Sequence, residues 1–335
     1  MGFHSGGRRC RRRAVHVLAT GRRQRNARQR TQSQRWLDGG RIPPQGAGVR
    51  RRMRRTQRVG GGLMRVGFIG LGSQGAPMAR RIAEGGFDLT LWARRPATLE
   101  PFADTAAKTA QSPAELAATS DLVCICVVGD NDVREVLRGD TGVLAGLASG
   151  AIVAVHSTVH PDTCRELAES AAEQGVSLID APVSGGAPAA AEGKLLVMVG
   201  GDAEAVDRCH PVFATYADPI VHLGPPGSGQ VAKILNNVLF TANVGSAIST
   251  LELGESLGID RSRLCEVLGN GSATSKALGS IAGFGGTLDA LAQHAGALLQ
   301  KDVRHAASLA DSASAPKGAV FDAADAALDA MEHPR

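Results

Sequence analysis

The sequence predicts an α/β protein: a doubly wound parallel sheet covered by helices on both faces, then a long linking helix and an all-α C-terminal domain. Three observations predict it. Between residues 64 and 224, short apolar runs alternate with longer amphipathic stretches, the pattern of strands and crossover helices in a parallel sheet. Beyond the turn formed by Gly224, Pro225, Pro226 and Gly227, the short runs cease and only helical periodicity remains. Apolar residues make up 43% and charged residues 21% of the 335 positions, a globular balance with enough chain for two domains.

The elements follow in order. Residues 65–69 are an apolar run ending in a glycine-rich turn, and 76–83 read as a helix with Pro77 in its first turn, where the missing N–H has no partner to lose. Gly85 and Gly86 stop that helix, and 88–92 are the second strand. Further strands are expected near 122–128, 151–156, 176–179, 195–199 and 219–222, with helices near 113–119, 131–138, 162–174 and 203–209. In the second half, 228–257 is one long apolar periodic stretch closed by Gly258. Shorter helices are expected near 261–268, 287–299, 301–311 and 317–331. The domains so defined span 64–226 and 227–335. No apolar run nears the roughly 18 residues of a membrane span.

Residues 1–63 stand outside this plan. They hold 18 arginines, no lysine and one acid, Asp38, for a net charge of +17, whereas the rest of the chain carries −12. The stretch lacks apolar periodicity and is expected to be disordered. It has neither the apolar stretch of a secretory signal nor the serine content of a transit peptide. Two readings remain: an arm that binds nucleic-acid phosphates, and an extension upstream of a true start at Met64, the second being preferred. The acidic body, in a chain with 8 Phe, 2 Trp and 1 Tyr, is not built for polyanions or base stacking. Cysteines at 10, 124, 126, 164, 209 and 265 show no CxxC and no metal spacing. They read as reduced thiols in a cytoplasmic protein, and no metal site is expected.

Gly70, Gly72 and Gly75 follow a strand and open a helix, the context in which this spacing binds a dinucleotide. The first allows a tight turn, the second lets the backbone approach a pyrophosphate, and the third permits close helix–strand packing. Leu71, Ser73 and Gln74 complete the loop. Val127 and Val128, ending the 122–128 run, are counted with it as cofactor-binding positions. NAD-binding chains place an acid about 20 residues past the glycines, to meet the ribose hydroxyls. Here Arg94 and Arg95 stand instead. Guanidinium groups suit a 2′-phosphate, so NADP is the expected cofactor and NAD the alternative. On the long helix, Lys233, Asn236 and Asn237 lie at i, i+3 and i+4 and share one otherwise apolar face, where an ammonium and two amides need partners.

Taken together, four motifs resemble the β-hydroxyacid dehydrogenase family. They are Gly-Phe-Ile-Gly-Leu-Gly-Ser-Gln-Gly-Ala-Pro-Met over 67–78, Asp-Ala-Pro-Val-Ser-Gly-Gly over 180–186, Gly-Ser-Gly-Gln-Val-Ala-Lys-Ile-Leu-Asn-Asn over 227–237, and Lys-Asp-Val over 301–303, in family order and spacing. The chain departs from the family at Gln74, commonly Met, and at Ala93, Arg94 and Arg95, commonly Asn-Arg-Thr. It departs again at Ala189 and over 193–195. The resemblance implies a Rossmann-type domain and a helical domain that forms homodimers or homotetramers. It implies hydride transfer between a nicotinamide cofactor and a small, carboxylate-bearing 3-hydroxy acid or semialdehyde. Lys233 would handle the proton of the substrate hydroxyl, with Asn237 and Ser184 beside it in the catalytic set. Ser184, Gly185, Gly186, Asn236 and Asn237 would hold the substrate, and Thr158 and Lys301 would lie near the cofactor. Two rival readings are an imine reductase-like member of the same superfamily, which would generally lack this lysine, and a non-catalytic Rossmann protein with a nucleic-acid-binding basic tail.

Overall fold

A computed structural model describes residues 64–335, and the expectations for residues 1–63 lie outside the described residues. Strand β1 (Arg65–Ile69), helix α1 (Gly75–Glu84) and strand β2 (Asp88–Trp92) follow the glycine and apolar pattern. A 3-10 turn (Pro96–Phe102) and the two-residue β3 (Lys108–Thr109) lead into α2 (Pro113–Ala118), β4 (Leu122–Ile125), α3 (Asp130–Leu137) and the short α4 (Val143–Gly146). Then come β5 (Ile152–Val155), α5 (Pro161–Ala172), β6 (Ser177–Asp180), β7 (Val183–Ser184), α6 (Gly186–Ala191), β8 (Leu195–Gly200), α7 (Ala203–Phe213) and β9 (Ala217–Gly224).

The sheet runs β3-β2-β1-β4-β5-β6-β8-β7, with β9 against β8. Every pairing from β3 to β6 is parallel. The sheet is mostly parallel, as expected; beyond β6 it turns mixed, because β8 pairs antiparallel with β6 and β7. A parallel return needs a long crossover, usually a helix. After β6 the chain instead reverses through Gly185 and Gly186, whose φ of +132° and +73° only glycine adopts without strain. The eleven-residue α7 does supply a crossover, and β9 lies parallel to β8.

Burial explains the unbroken apolar runs. Val66, Phe68, Leu122, Cys124, Ile152 and Ala154 pack into a core on one face of the sheet. Val123, Ile125, Val153 and Val155 belong to a second core on the other. With period 2 and both faces covered, a polar residue is left room only at a strand end, as with the exposed Arg65 of β1.

The C-terminal region is helical: α8 (Ser228–Ser256), α9 (Arg261–Asn270), α10 (Lys276–Gly283), α11 (Asp289–Leu291), α12 (Ala297–Ser312) and α13 (Gly318–Ala330). The separate helices expected near 287–299 and 301–311 are instead joined. The chain passes from α11 through a π turn (Ala292–Gly296) into α12, since neither glycine nor proline stands between Leu299 and Lys301. Helix α10, whose glycines mask its periodicity, is added to the expected set. Its Ser275 hydroxyl accepts the Leu278 N–H. Among the described residues, no helix is long and apolar enough to cross a membrane, and the cysteines are free thiols.

Asp180 joins the sheet to α8. It is fully buried at the end of β6, and its Oδ1 accepts the Gly227 N–H at 2.6 Å while Oδ2 accepts the Gln230 N–H at 2.8 Å. Two donors in the first turn of a helix are thereby satisfied. Burial lifts the carboxyl from 3.8 to about 6 against the pull of those N–H donors. A folded-state value above the unfolded one means that this group's contribution to stability declines as pH rises from 3.8 to about 6. Asp180→Asn turns an NH2 toward one of the two donors. It is expected to cost about 1–3 kcal/mol in urea unfolding at neutral pH and to flatten that decline. An unchanged unfolding midpoint would remove Asp180 as the anchor of α8.

Candidate active site

The glycine loop lies where β1 meets α1, beside the end of β4. Gly70 has φ +96°, and a Cβ on it would fall 2.2 Å from the Cys126 carbonyl oxygen. A Cβ on Gly75 would fall 1.9 Å from the Gly70 oxygen, whereas one on Gly72 would meet nothing within 4 Å. Two glycines thus fold the loop tightly, and the third leaves its outer side open, as close approach of a pyrophosphate requires. Leu71 points into the core, Gly72 and Ser73 are exposed, and Gln74 is half-buried. The Val127 N–H donates to Ser157 Oγ at 2.9 Å, and Val128 is 70% exposed. Val128 thus offers an apolar surface three residues beyond β4. These features fit a dinucleotide.

Arg94 and Arg95 follow β2 and are exposed. Arg94 is already engaged: its Nη2 lies 3.2 Å from Glu135 Oε2 and 3.6 Å from Asp132 Oδ1, both on α3. Arg95 has no carboxylate at ion-pair distance among the described residues.

A second cluster gathers where α8 and α12 meet the segment that follows β5. Gln230, fully buried in the first turn of α8, donates from Nε2 to the Ser157 carbonyl at 2.8 Å and accepts the Val159 N–H at 3.1 Å. Between those two residues, the Thr158 carbonyl accepts from Lys301 Nζ on α12. Next along α12, Asp302 is 2% exposed. Its Oδ2 accepts from Asn237 Nδ2 at 2.5 Å, and its Oδ1 lies 3.3 Å from Lys301 Nζ without a hydrogen bond. Asn237 Oδ1 accepts in turn from the exposed Asn236. Lys233, half-buried one turn before Asn237, is lowered from 10.5 to about 8. Burial is the main cause, Asp302 opposes it, and the Lys301 ammonium adds to it.

Lys233, Asn237, Lys301 and Thr158 are thus brought into one cluster. Ser184, Gly185 and Gly186 are not hydrogen-bonded to it. Ser184 is half-buried in β7 opposite Leu196, and the two glycines are exposed at the turn into α6. Sequence reasoning passed over Asp302, Gln230 and the acids facing Arg94. Gln230 left a signal, a polar residue three before Lys233 on the buried side of an apolar helix. Asp302 left one only as the neighbour of Lys301. Among the described residues, no group of His, Cys, Asp and Glu could hold a metal ion.

Residues 65–224 match the sequence profile of the NAD binding domain of 6-phosphogluconate dehydrogenase. Residues 227–332 match that of the NAD-binding domain of NADP-dependent 3-hydroxyisobutyrate dehydrogenase. An uncharacterized oxidoreductase of Mycobacterium tuberculosis is 38% identical over 65% of this chain and 73% of its own. The NAD-dependent L-serine dehydrogenase of Pseudomonas aeruginosa is 34% identical over 64% of this chain and 72% of its own. A solved structure of Mycobacterium tuberculosis 3-hydroxyisobutyrate dehydrogenase with L-serine superposes with a TM-score of 0.69 at 27% identity, covering 81% of this chain and 94% of that one.

The charge balance at Lys233 is directly measurable. In 13C NMR of lysine-labelled protein, one Cε resonance is expected to titrate near 8 and to be missing from Lys233→Met. Asp302→Asn should move that titration to lower pH, because the lost carboxylate favours the ammonium. A titration left in place would disprove the pairing.

Proposed function

This chain belongs to the β-hydroxyacid dehydrogenase family, NAD(P)-dependent oxidoreductases acting on CH–OH groups, and we propose that it moves a hydride between NADP and a small 3-hydroxy acid or its semialdehyde, with Lys233 as general acid/base. The observation that carries this reading is the Lys233 amine, lowered by burial to about 8 beside Asp302 and Lys301. A proton-transfer group works best with a pKa near the operating pH. The nicotinamide, when bound, supplies the hydride chemistry. Lys233 supplies the proton chemistry. In oxidation its neutral amine accepts the hydroxyl proton, and in reduction its ammonium returns one to the forming alkoxide.

The other residues position the reactants. Asn237, held by Asp302 through one Nδ2 hydrogen, keeps the second for the substrate, and Asn236 supports it from the exposed side. Ser184, Gly185 and Gly186 receive the substrate carboxylate: two exposed backbones without Cβ and one hydroxyl form a donor cluster for an anion. Gly70, Gly72, Ser73, Gln74, Gly75 and the backbone of Leu71 take the pyrophosphate, with Val127 and Val128 along the cleft. Arg94 and Arg95 face the 2′-phosphate, and Thr158 and Lys301 flank the nicotinamide end. L-serine and 3-hydroxyisobutyrate, named in the relatives, are both 3-hydroxy acids. Leu235, Leu239 and Leu253 on α8, with Leu257 just after it, line one exposed side, which supports a homo-oligomer formed through the helical region. Free, largely buried thiols suit a reducing, cytoplasmic setting.

Lys233→Met is expected to bind NADPH as the parent protein does, yet lose on the order of a hundredfold or more in kcat. In the parent protein, kcat/KM for oxidation should rise with pH through about 8 as the amine deprotonates, and for reduction should fall through the same range. Wild-type turnover by the variant would move the chemistry elsewhere.

The carboxylate site has its own test. Semialdehydes should be reduced about 30- to 1,000-fold more efficiently than neutral aldehydes of equal length, because donors left unpaired cost about 2–4 kcal/mol. Equal efficiency would show that Ser184, Gly185 and Gly186 do not hold an anion.

A further inference from the structure

The partners of Arg94 carry an inference that deepens the NADP reading and rests on it. We propose that Glu135 and Asp132 are specificity-determining residues, which hold the Arg94 guanidinium away from a 2′-phosphate and so moderate the preference for NADP over NAD. In the sheet, β2 and β4 flank β1 on either side, all three parallel. Arg94 follows β2 and α3 follows β4. An ion pair between them therefore crosses the end of β1, above the loop that begins at Gly70.

Both acids converge on one guanidinium nitrogen, Glu135 hydrogen-bonded at 3.2 Å and Asp132 at 3.6 Å. The side chains of Arg94, Glu135 and Asp132 are 60%, 68% and 33% exposed. At this exposure the bridge is weak and exchangeable, a restraint rather than a lock. The dipole of α3 does not account for Glu135. Asp130 and Asp132 stand in the first turn, where a carboxylate is stabilising, but Glu135 stands toward the C-terminal end of this eight-residue helix, where it is not. Its partner is Arg94.

A 2′-phosphate dianion has to draw Arg94 from both carboxylates and then sit near them. NAD brings no charge to that point and is indifferent to the exchange. Arg95, with no carboxylate partner among the described residues, is left to meet the phosphate at once. The acids thus act on NADP alone, and they act through Arg94.

Dissociation constants of NADP+ and NAD+, measured by calorimetry on the full chain, test this with Glu135→Gln, Arg94→Ala and the double variant. Glu135→Gln should tighten NADP+ about three- to tenfold and leave NAD+ within about twofold. The tightening should vanish when Arg94 is also alanine, so the cycle is non-additive. Adding Asp132→Asn to Glu135→Gln should tighten NADP+ further. Unchanged NADP+ affinity in Glu135→Gln overturns the proposal, as does equal tightening of both cofactors or tightening that persists without Arg94. If Arg94→Ala weakens NADP+ while Glu135→Gln does nothing, the restraint alone fails. If Arg94→Ala leaves NADP+ unchanged and the parent protein binds NAD+ equally well, the NADP reading fails and takes the proposal with it.

Discussion

Two backbone N–H groups at the start of a 29-residue helix end on one buried carboxylate, and the cluster around Lys233 takes its position from that contact. Asp180 fixes both the height and the rotation of α8 against the end of β6, because it accepts from Gly227 and Gln230 with separate oxygens. A Cβ on Gly229 would lie 2.8 Å from Asp180 Oδ2 and 2.4 Å from the Met198 oxygen, so the first turn is seated directly on the sheet. Once that turn is fixed, the helical repeat carries Lys233 and Asn237 to set places one and two turns further on. Gln230 then ties the same turn to the 157–159 segment, whose Thr158 holds Lys301. A single cap thus registers residues from β6, α8, α12 and the segment after β5.

The electrostatics of the cluster follow from that registration. Burial alone disfavours an ammonium on Lys233, and the Lys301 ammonium disfavours it further; Asp302 keeps the shift from going deeper. Asp302 also orients Asn237, so one carboxylate both restrains the fall in the proton affinity of the lysine and directs the amide. At Arg94 the problem is inverted, since this guanidinium stands exposed among acids in a body of net negative charge. The charges around Lys233 are few, buried and strongly coupled; those around Arg94 are exposed and weakly coupled.

Much of this was legible in the sequence, because the signals are local. Gly70, Gly72 and Gly75 each answer a steric demand of their own turn, and the demand is visible from neighbouring residues. Strands β1, β2, β4, β5 and β6 announce themselves as apolar runs because both faces are covered, whereas the two-residue, exposed β3 carries no such signal. Lys233 and Asn237 share a helix face by spacing alone. The antiparallel β8 was not legible: strand direction depends on where the chain goes after Gly186, and an apolar run reads the same in either direction. The break expected between 299 and 301 is absent because no glycine or proline interrupts α12 there, and the polar Gln300 and Lys301 read like a helix boundary without being one.

By itself, then, the sequence determined the fold class, the tight glycine loop, the long helix and the shared helix face of Lys233 and Asn237, since each depends on spacing within one element. Tertiary structure decided the partnerships: Asp302 with Asn237, Lys301 with Thr158, Gln230 with the 157–159 segment, and Arg94 with Glu135. These residues lie tens of positions apart or more, and no local pattern links them. A charge finds its partner only after distant elements have packed, and the lowered pKa of Lys233 comes from that packing rather than from the lysine itself.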